Sequence, residues 1–259
     1  MPRPPAQTIG LALSGGAARG IAHIAVLDIL EQEGIPIHAI AGTSAGSIIG
    51  ALYCAGMTLS EIKRLLLNTK WKDVLKFTIP KQGLISSIGI YEFMESVLPV
   101  KKFSSLPFPL AVVATDLKTA EKVVITTGSI AKAVQASCSV PILFTPTELN
   151  NKLLVDGGIS SQIPVRAVRE DLGMKHVISV NVNYRAMESD YCDNIITIAT
   201  HLSTLWASKN AREEEKLADV AIHVNATGIP IYDLSKAKEL LKRGKKAAEE
   251  KLDEIRALL

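Results

Sequence analysis

The sequence predicts an α/β fold in which a mainly parallel sheet carries helices on both faces. Three observations lead to this prediction. Short apolar runs of strand length recur at residues 9–13, 110–116 and 177–182. Segments between such runs repeat their apolar residues at helical spacing, and glycine-rich turns join the first runs to the helices after them. This alternation is typical of βαβ units, which build parallel sheets.

The first unit begins with the apolar run at 9–13 and continues through a glycine-rich turn at residues 14–20. Ile21 and Ile24 then begin a helical spacing that continues up to Gly34, a residue type that commonly ends helices. The other predicted elements are strands at 122–126, 153–155 and 218–224, helices at 129–137, 165–172 and 195–206, and a helix near 61–67 capped by Thr58 or Ser60.

The second unit contains the sequence G-T-S-A-G at residues 42–46, after the apolar residues 37–41 and before another helical run. This is the G-x-S-x-G pattern of a nucleophile elbow, in which a strained turn between strand and helix exposes a serine hydroxyl. Gly42 and Gly46 allow the chain to turn tightly. Ser44 is therefore the candidate nucleophile.

Residues 71–103 carry weaker signals, with many large apolar side chains interrupted by prolines and glycines. The pattern favours a peripheral helical subdomain packed on the sheet. The alternative is a mobile cover over a binding cleft, since active-site lids are often loop-rich insertions of this kind.

The C-terminal segment, residues 235–258, is predicted to form one long amphipathic helix. Its apolar residues fall on one stripe, interrupted at Gly244, with charged residues elsewhere. The pattern favours packing on the body of the domain. Contact with an anionic membrane is the alternative, although acidic residues dilute the basic face. No linker or repeat divides the chain, so residues 1–259 are expected to form one domain.

The composition is that of a soluble globular protein, with 47% hydrophobic and 21% charged residues. A net charge of +3, without a base-stacking motif, argues against a nucleic-acid partner. Cys54, Cys138 and Cys192 are far apart, which indicates reduced thiols of a cytoplasmic protein. No window approaches the roughly 20 apolar residues of a membrane span, so peripheral contact with a membrane is the most that is expected.

A serine nucleophile needs a base, and the default partner is histidine. The five histidines lie in predicted helices or strands rather than on a loop after a late strand, so they are expected to be structural. They are His23, His38, His176, His201 and His223.

Two aspartates end apolar strands, where active-site residues gather in parallel α/β sheets. Asp116 precedes a sequence consistent with a simple β-turn. Asp156 precedes Gly157 and Gly158, which permit close approach of the backbone. These features favour Asp156 only slightly, and both aspartates remain candidates at this point.

The glycine-rich turn is the candidate oxyanion site. Backbone N–H groups at Gly15, Gly16 and Ala17 precede a helix, so they are unpaired in the helical ladder and lie at its positive end. Arg19 adds a positive charge beside them. The alternative, a nucleotide-phosphate loop, lacks a G-K-[ST] sequence and an acidic residue after the second strand.

With these blocks in hand, the chain resembles the patatin-like phospholipase family, and looks most like its small bacterial members. The resemblance covers roughly residues 8–225 and leaves the C-terminal helix outside. The matching blocks are S-G-G-A-A-R-G at 14–20, G-T-S-A-G at 42–46, A-T-D-L at 114–117, A-S at 136–137 with Pro141, D-G-G at 156–158 and I-P-V at 163–165.

The resemblance implies a three-layer α/β/α fold and a Ser-Asp dyad that hydrolyses acyl esters of lipids. It implies Ser44 as the nucleophile and Asp156 as the base that takes its proton. Gly15, Gly16 and Ala17 fall in the block that forms the oxyanion hole. The expected partner is a lipid or acyl-ester substrate, and neither a cofactor nor a metal ion is expected. No oligomeric state is predicted.

Two positions depart from the family pattern. Ala17 stands where glycine is common, so its methyl group could restrict the loop. Gln162 stands where many members carry asparagine, which leaves open how the Asp156 loop is held.

Two other functions stay open. One is an esterase or thioesterase that acts on soluble acyl donors. The other is a regulatory protein that keeps the fold and hydrolyses little.

Overall fold

The structure is a computed structural model that describes residues 8–77, 83–186 and 195–259. Strands and helices alternate along most of the described chain. In order, the elements are β1 (Ile9–Leu13), α1 (Ala22–Gln32), β2 (Ala39–Thr43), α2 (Ala45–Cys54), α3 (Leu59–Asn68), α4 (Trp71–Val74), β3 (Lys76–Phe77), β4 (Ile85–Ser86), α5 (Ile88–Val97), β5 (Leu110–Asp116), β6 (Lys122–Ile125), α6 (Ile130–Ser137), β7 (Thr147–Leu149), β8 (Lys152–Asp156), β9 (His176–Tyr184), α7 (Ile195–Glu215), β10 (Val220–Asn225), α8 (Ala237–Glu249) and α9 (Leu252–Arg256).

Eight strands of the described residues form the main sheet, in the order β10–β9–β1–β2–β5–β8–β7, with β6 also paired to β5. The strands from β10 to β5 pair in parallel. In contrast, β6, β7 and β8 join the sheet in antiparallel pairs. The predicted fold class is confirmed: the sheet is mixed but mainly parallel.

The central strands are buried on both faces, and their successive residues are apolar or small up to Asp116 at the end of β5. Leu11 and Ile40 belong to the larger core, which includes residues of α1, α2, α6 and α8. Ala12 and Ala41 follow them in sequence and therefore point to the opposite face. There they belong to a smaller core with residues 163–168 and α7. Helical segments thus cover both faces, which gives three layers.

The first helices begin and end where local sequence signals predict. Gly34 and Gly56 follow α1 and α2 with φ of +66° and +89°, a conformation that glycine adopts without steric cost. Thr58 caps α3: its side chain accepts the N–H of Glu61, and the Glu61 carboxylate accepts the N–H of Thr58 in return.

Helix α5 packs on α6 and belongs to the body of the protein. Ile90 and Met94 are buried in the larger core. Gly89 leaves no space for a side chain, because the Val74 carbonyl lies against it. This packing favours the peripheral helical subdomain for residues 71–103. Part of that stretch, residues 78–82, lies outside the described residues, and the moving cover stays a prediction.

The C-terminal segment forms two helices, α8 and α9, where the sequence predicts one. Helix α8 packs on α1, and a Cβ on Gly244 would lie 2.6 Å from the carbonyl oxygen of Ala22. The glycine that interrupts the apolar stripe therefore lies where the two helices approach closely. Leu240 and Ala248 are fully buried. The middle of the stripe is consequently used in packing on the body of the protein, and contact of this segment with a membrane stays a prediction.

Two of the three cysteines, Cys54 and Cys138, are buried free thiols, and Cys192 lies outside the described residues. Burial raises the pKa of both described thiols, which keeps them protonated. Within the described ranges, no helix is long and apolar enough to cross a membrane.

Candidate active site

The carboxyl ends of the parallel strands meet at one edge of the sheet, and the candidate residues lie there. Ser44 follows the last residue of β2. Thr43 pairs with Val113 of β5, and Ala114, the next residue of β5, pairs with Asp156 at the end of β8. Ser44 and Asp156 therefore lie at the same level, with β5 between their strands.

Ser44 has the backbone conformation of a nucleophile elbow. Its φ of +49° and ψ of −121° are sparsely populated by residues that carry a side chain. A Cβ on Gly42 would lie 2.5 Å from the carbonyl oxygen of Gly46, and a Cβ on Gly46 would collide with the carbonyl oxygen of Leu13. The two glycines of the motif are therefore required by close approach of the backbone.

Two neighbouring serines hold this strained turn. The backbone N–H of Ser44 donates to the Oγ of Ser137 at 2.8 Å, and the Ser137 hydroxyl donates to the carbonyl of Val113 at 2.5 Å. The Ser47 hydroxyl donates to the Ser44 carbonyl at 2.6 Å. Both backbone polar groups of Ser44 are thus bonded, and its side chain takes no part in these bonds.

Asp156 is a buried carboxyl group with one oxygen bonded and one open. Its Oδ1 accepts the N–H of Gly158 at 2.7 Å, while its Oδ2 has no hydrogen-bond donor among the described residues. Burial raises the pKa of Asp156 to about 6, although the Gly158 N–H and the Ser44 hydroxyl each lower it. The Ser44 hydroxyl is therefore near the carboxylate, without a hydrogen bond of full geometry between them. Asp156 is a stronger base than an ordinary aspartate.

The turn after Asp156 packs tightly against the neighbouring strands. A Cβ on Gly157 would collide with a backbone carbonyl of β5, so the turn requires glycine there. The Thr43 hydroxyl donates to the carbonyl of Ser161 at 2.8 Å, deep in the protein. This bond joins the Asp156 turn to the strand that ends at Ser44.

Asp116, the other candidate base, lies in an ordinary turn. Its Oδ1 accepts the N–H of Lys118 at 3.0 Å, and its Oδ2 lies 3.9 Å from the Nζ of Lys152. Strand β5 continues two residues past the level of Asp156 before it reaches Asp116. The structure thus brings Asp156, and not Asp116, to the level of Ser44.

The glycine-rich loop has most of its peptide groups bonded to other parts of the chain. The Gly15 N–H donates to the carbonyl of Gln162 at 3.2 Å, and the Ala18 N–H donates to a carbonyl after β10 at 3.0 Å. Gly15 is therefore not a free oxyanion donor, which corrects that part of the prediction. The N–H groups of Gly16 and Ala17 have no acceptor in the part of the chain that the structure describes.

The loop lies directly against the elbow. A Cβ on Gly15 would lie 3.2 Å from the Cβ of Ser44 and 2.9 Å from the Oε1 of Gln162. The absence of a side chain at Gly15 therefore lets the loop approach the serine. The segment that carries the open N–H groups of Gly16 and Ala17 thus follows directly after the contact with the elbow.

The two departures from the family pattern are accommodated differently. Ala17 adopts φ of +44°, a left-handed conformation that costs roughly 1–2 kcal/mol for a residue with a Cβ. Gln162 holds the loop through its backbone carbonyl. The bond to Gly15 therefore does not depend on whether residue 162 is glutamine or asparagine.

Arg19, which was expected to add a positive charge beside the oxyanion donors, has all three of its guanidinium nitrogens bonded to other parts of the chain. Its Nε and Nη2 donate to the carbonyl of Ile229 at 3.0 and 2.6 Å, and its Nη1 donates to the Oδ1 of Asn183 at 3.1 Å. Burial lowers the pKa of Arg19 to about 10, so it stays charged at neutral pH. Arg19 thus ties the glycine-rich loop to the end of β9 and to the segment after β10.

His23 also supports the loop. It is fully buried, and its Nε2 donates to the carbonyl of Ser14 at 2.9 Å, which requires the Nε2–H tautomer because a carbonyl only accepts. Burial lowers the pKa of His23 to about 4, so the ring is neutral. It therefore has the structural role expected from the sequence.

A thiol lies close to the elbow as well. The Sγ of Cys138 is 3.9 Å from the Oγ of Ser47. Burial, and then the charge of Asp156, raise the pKa of the Cys138 thiol. The thiol is therefore neutral beside the site. Across the described residues, no three His, Cys, Asp or Glu side chains are grouped as metal ligands.

Three groups at the site were not predicted to act there. They are the Ser137 hydroxyl, the Gln162 carbonyl and the side chain of Asn183, whose Nδ2 donates to the Gly15 carbonyl at 2.8 Å. Ser137 belongs to the A-S block at 136–137, which is a signal for it. The sequence carries no motif for the Gln162 carbonyl, because every residue has a backbone carbonyl. Asn183 could not be linked to the loop either, because it is 164 residues from Arg19 in sequence.

Comparison with known families gives one extended match. The family model described as Patatin-like phospholipase matches residues 11–169, which is more than half of the chain. The matched range contains the glycine-rich loop, Ser44 and Asp156.

The curated relatives are longer than this chain. An uncharacterized NTE family protein of Mycobacterium tuberculosis is 29% identical over 219 residues, which cover 82% of this chain and 58% of the relative. Lysophospholipase NTE1 of Candida albicans is 29% identical over 185 residues, which cover 68% of this chain and 13% of that protein. The chain thus spans less than two thirds of the length of these relatives.

Among solved structures, VipD from Legionella pneumophila has a similar fold. Its TM-score is 0.65 at 16% sequence identity, and the alignment covers 97% of this chain and 67% of that chain. At this identity the likeness concerns the fold alone.

Proposed function

Because the chain belongs to the patatin-like phospholipase family, we propose that it is a serine acyl hydrolase that cleaves fatty-acyl esters of lipids. In this proposal Ser44 is the nucleophile and Asp156 is the base. The reaction proceeds in two steps through an acyl-enzyme on Ser44.

One observation carries the proposal: a buried carboxylate with an open oxygen lies next to a serine on a strained elbow. The Oδ2 of Asp156 has no donor among the described residues, so a lone pair is free to take a proton. Its pKa of about 6 makes it a better base than an ordinary aspartate, yet leaves it mostly ionised at neutral pH. A serine hydroxyl needs such a neighbour to act as a nucleophile.

In the first step the Oγ of Ser44 attacks the ester carbonyl while its proton passes to Asp156. The carbonyl oxygen becomes an oxyanion, which the N–H groups of Gly16 and Ala17 stabilise. These donors precede a helical turn and are fixed by the rest of the loop, so they need no reorganisation as charge develops. Collapse of the intermediate breaks the ester bond, and the leaving alkoxide takes the proton from Asp156.

In the second step water attacks the acyl-enzyme. Asp156 accepts a proton from the water as its oxygen bonds to the acyl carbon. The second oxyanion uses the same two N–H groups. Collapse breaks the bond to the Oγ of Ser44, which recovers the proton from Asp156, and the fatty acid leaves.

A lipid substrate is supported by exposed apolar side chains on helix α7, which packs on the Asp156 turn. Helix α7 contacts the turn after Asp156, where the Nδ2 of Asn210 donates to the carbonyl of Ile159 at 2.8 Å. Ile195, Leu202 and Trp206 recur on one face of α7 and are 81%, 60% and 57% exposed. Exposed apolar side chains that recur in this way are typical of contact surfaces. The proposal therefore includes peripheral contact of this face of α7 with a membrane.

Labelling with a fluorophosphonate probe tests the nucleophile. We expect wild type to be labelled on Ser44 and to hydrolyse a short p-nitrophenyl ester, whereas Ser44→Ala does neither. A folded wild-type protein that is neither labelled nor active would reject the hydrolase and favour the regulatory alternative.

The substrate class is tested by raising the concentration of a short-chain phospholipid through its micellar threshold. A rate that jumps at the threshold supports a lipid substrate, and a rate that saturates below it supports a soluble acyl donor. Leu202→Asp, at an exposed position, is the matched variant: we expect it to lose activity on vesicles and to keep activity on the soluble ester.

A further inference from the structure

Asn183 lies at the end of β9 and contacts the glycine-rich loop with both halves of its amide. Its Nδ2 donates to the carbonyl of Gly15 at 2.8 Å, and its Oδ1 accepts from the Nη1 of Arg19 at 3.1 Å. This orientation of the amide is the one its partners require. Arg19 only donates and a carbonyl only accepts, so the oxygen faces Arg19 and the nitrogen faces Gly15.

The bond to the Gly15 carbonyl determines where the next N–H points. In a trans peptide unit the C=O and the N–H lie on opposite sides, and the described residues contain no cis peptide bond. The Gly15 carbonyl and the Gly16 N–H belong to one such unit. With the carbonyl directed at Asn183, the Gly16 N–H is directed away from it.

The order of the strands in the sheet shows which side of the loop the Gly16 N–H faces. Strand β1 lies between β9 and β2 in the sheet. The loop after β1 therefore has Asn183 of β9 on one side and Ser44, after β2, on the other. Since the Gly15 carbonyl points to the β9 side, the Gly16 N–H points to the side of Ser44.

We propose that Asn183 is a positioning residue that aims the Gly16 N–H at the oxyanion. This inference rests on the proposed function, because an oxyanion forms only if Ser44 attacks an ester. Arg19 in turn orients Asn183. Two of its nitrogens donate to the Ile229 carbonyl, and the third donates to the Asn183 Oδ1 and so fixes the orientation of the amide.

Comparison with the preceding peptide unit shows why the unit between Gly15 and Gly16 depends on Asn183. In the unit between Ser14 and Gly15, the carbonyl accepts from His23 and the N–H donates to Gln162, so both ends are held. In the unit between Gly15 and Gly16 only the carbonyl is held. Without Asn183, that unit would have no hydrogen-bond partner within the described residues, and it could rotate.

Two substitutions separate positioning from packing. Asn183→Asp keeps the shape and the acceptor for Arg19, but its second oxygen faces the Gly15 carbonyl and cannot donate. Asn183→Leu removes both bonds. Asn225→Leu is the matched control: Asn225 lies at the end of the neighbouring strand β10, is exposed, and accepts the N–H of Thr227.

The test measures kcat and KM on a soluble p-nitrophenyl ester, with active sites counted by end-point fluorophosphonate labelling. It also measures the inhibition constant of a trifluoromethyl ketone, whose adduct with a serine carries an oxyanion. We expect both Asn183 variants to lose on the order of 100-fold in kcat per labelled site, the scale of one lost oxyanion donor. KM should change little, and ketone affinity should fall in parallel with kcat.

The possible outcomes are distinguishable. If wild type and control are active and the Asn183 variants keep kcat per labelled site, Asn183 is only structural and the inference is wrong. If the variants lower only Tm or the labelled fraction, the inference is equally wrong. If wild type itself shows no labelled Ser44 and no ester hydrolysis, the proposed function fails, and the inference fails with it. Should Asn183→Leu not fold, Asn183→Asp alone decides.

Discussion

Asp116 and Asp156 end two paired strands, yet their surroundings are opposite. Asp116 lies in a turn where one carboxylate oxygen accepts a backbone N–H and the other is near a lysine ammonium. Asp156 lies in a turn where one oxygen is bonded and the other has no donor among the described residues. Burial raises the pKa of Asp156 to about 6. The two turns thus differ in how completely the carboxylate is satisfied.

This difference indicates which carboxylate at the edge of the sheet can act as a base. A carboxylate with a partner at each oxygen presents no open oxygen to a reacting group. A buried carboxylate with an open oxygen is held in a higher-energy ionised form, and it lowers that energy by accepting a proton. The proposed base is therefore the aspartate that the fold leaves incompletely satisfied.

Substitution of each aspartate by asparagine should give the largest contrast. We expect Asp156→Asn to lower kcat/KM on a short p-nitrophenyl ester by about 1,000-fold, because general-base catalysis contributes roughly 10²–10⁴-fold. Asp116→Asn, the matched control, should stay near the wild-type value. Equal losses in the two variants would remove Asp156 as the base.

Although Asp156→Asn should lower activity, it should raise the stability of the folded state. The folded state raises the pKa of Asp156 from 3.8 to about 6, so it binds the proton more tightly than the unfolded chain does. The stabilisation that protonation provides is complete below about pH 4 and is lost as pH rises through about 6. Above that, the ionised carboxylate destabilises the fold by about 3 kcal/mol, from 1.36 kcal/mol per pKa unit.

Asp156→Asn should therefore be more stable than wild type by about this amount at roughly pH 8 and about equal to it near pH 4. Thermal or urea denaturation at the two pH values measures the difference. Asp116→Asn loses only a 3.9 Å ion pair with the half-exposed Lys152, so at roughly pH 8 it should cost less than about 1 kcal/mol. A destabilised Asp156→Asn at high pH would contradict the assignment of a strained carboxylate.

The pH dependence of the reaction follows from the same group. The base must be ionised to take the proton of Ser44, so kcat/KM should rise with pH through about 6 and level off above it. At roughly pH 5 the rate should be about tenfold below the plateau. Asp116→Asn should keep the same profile. A profile without an inflection near this pH would argue that another group controls the step.

The smallest effect is expected at Gln162. Its backbone carbonyl, and not its side chain, accepts the Gly15 N–H. Gln162→Asn, which restores the residue common in the family, should therefore change kcat/KM by less than about threefold. A large change would mean that the side chain, which lies against Gly15 and Gly158, also positions the Asp156 turn.

Much of the fold could be predicted from local sequence. The apolar runs and the helical spacing identify the strands and helices, and the elbow at Ser44 follows from residues next to it. The antiparallel strands β6, β7 and β8 could not be separated from the parallel ones, because strand direction is not encoded in a short apolar run. The turn between α8 and α9 was missed because one continuous stripe can serve two consecutive helices.

The residues of the candidate site also divide into those that local sequence could predict and those that it could not. Ser44 and the Asp156 turn carry short motifs, so the sequence could identify them as candidates. The choice between Asp116 and Asp156 depended on resemblance until the strand register placed Asp156 at the level of Ser44. The bonds of Gly15 and Arg19 could not be predicted, because their partners Gln162, Asn183 and Ile229 are distant in sequence.

The order in which these parts are synthesised has a consequence for the growing chain. Ser44 and the glycine-rich loop leave the ribosome before Asn183, Ile229 and Ile231, which hold the loop and Arg19. During synthesis the proposed nucleophile is therefore present before the residues that fix the proposed oxyanion loop. Under the proposed function, hydrolysis begins only after β9 and the segment that follows β10 have joined the fold.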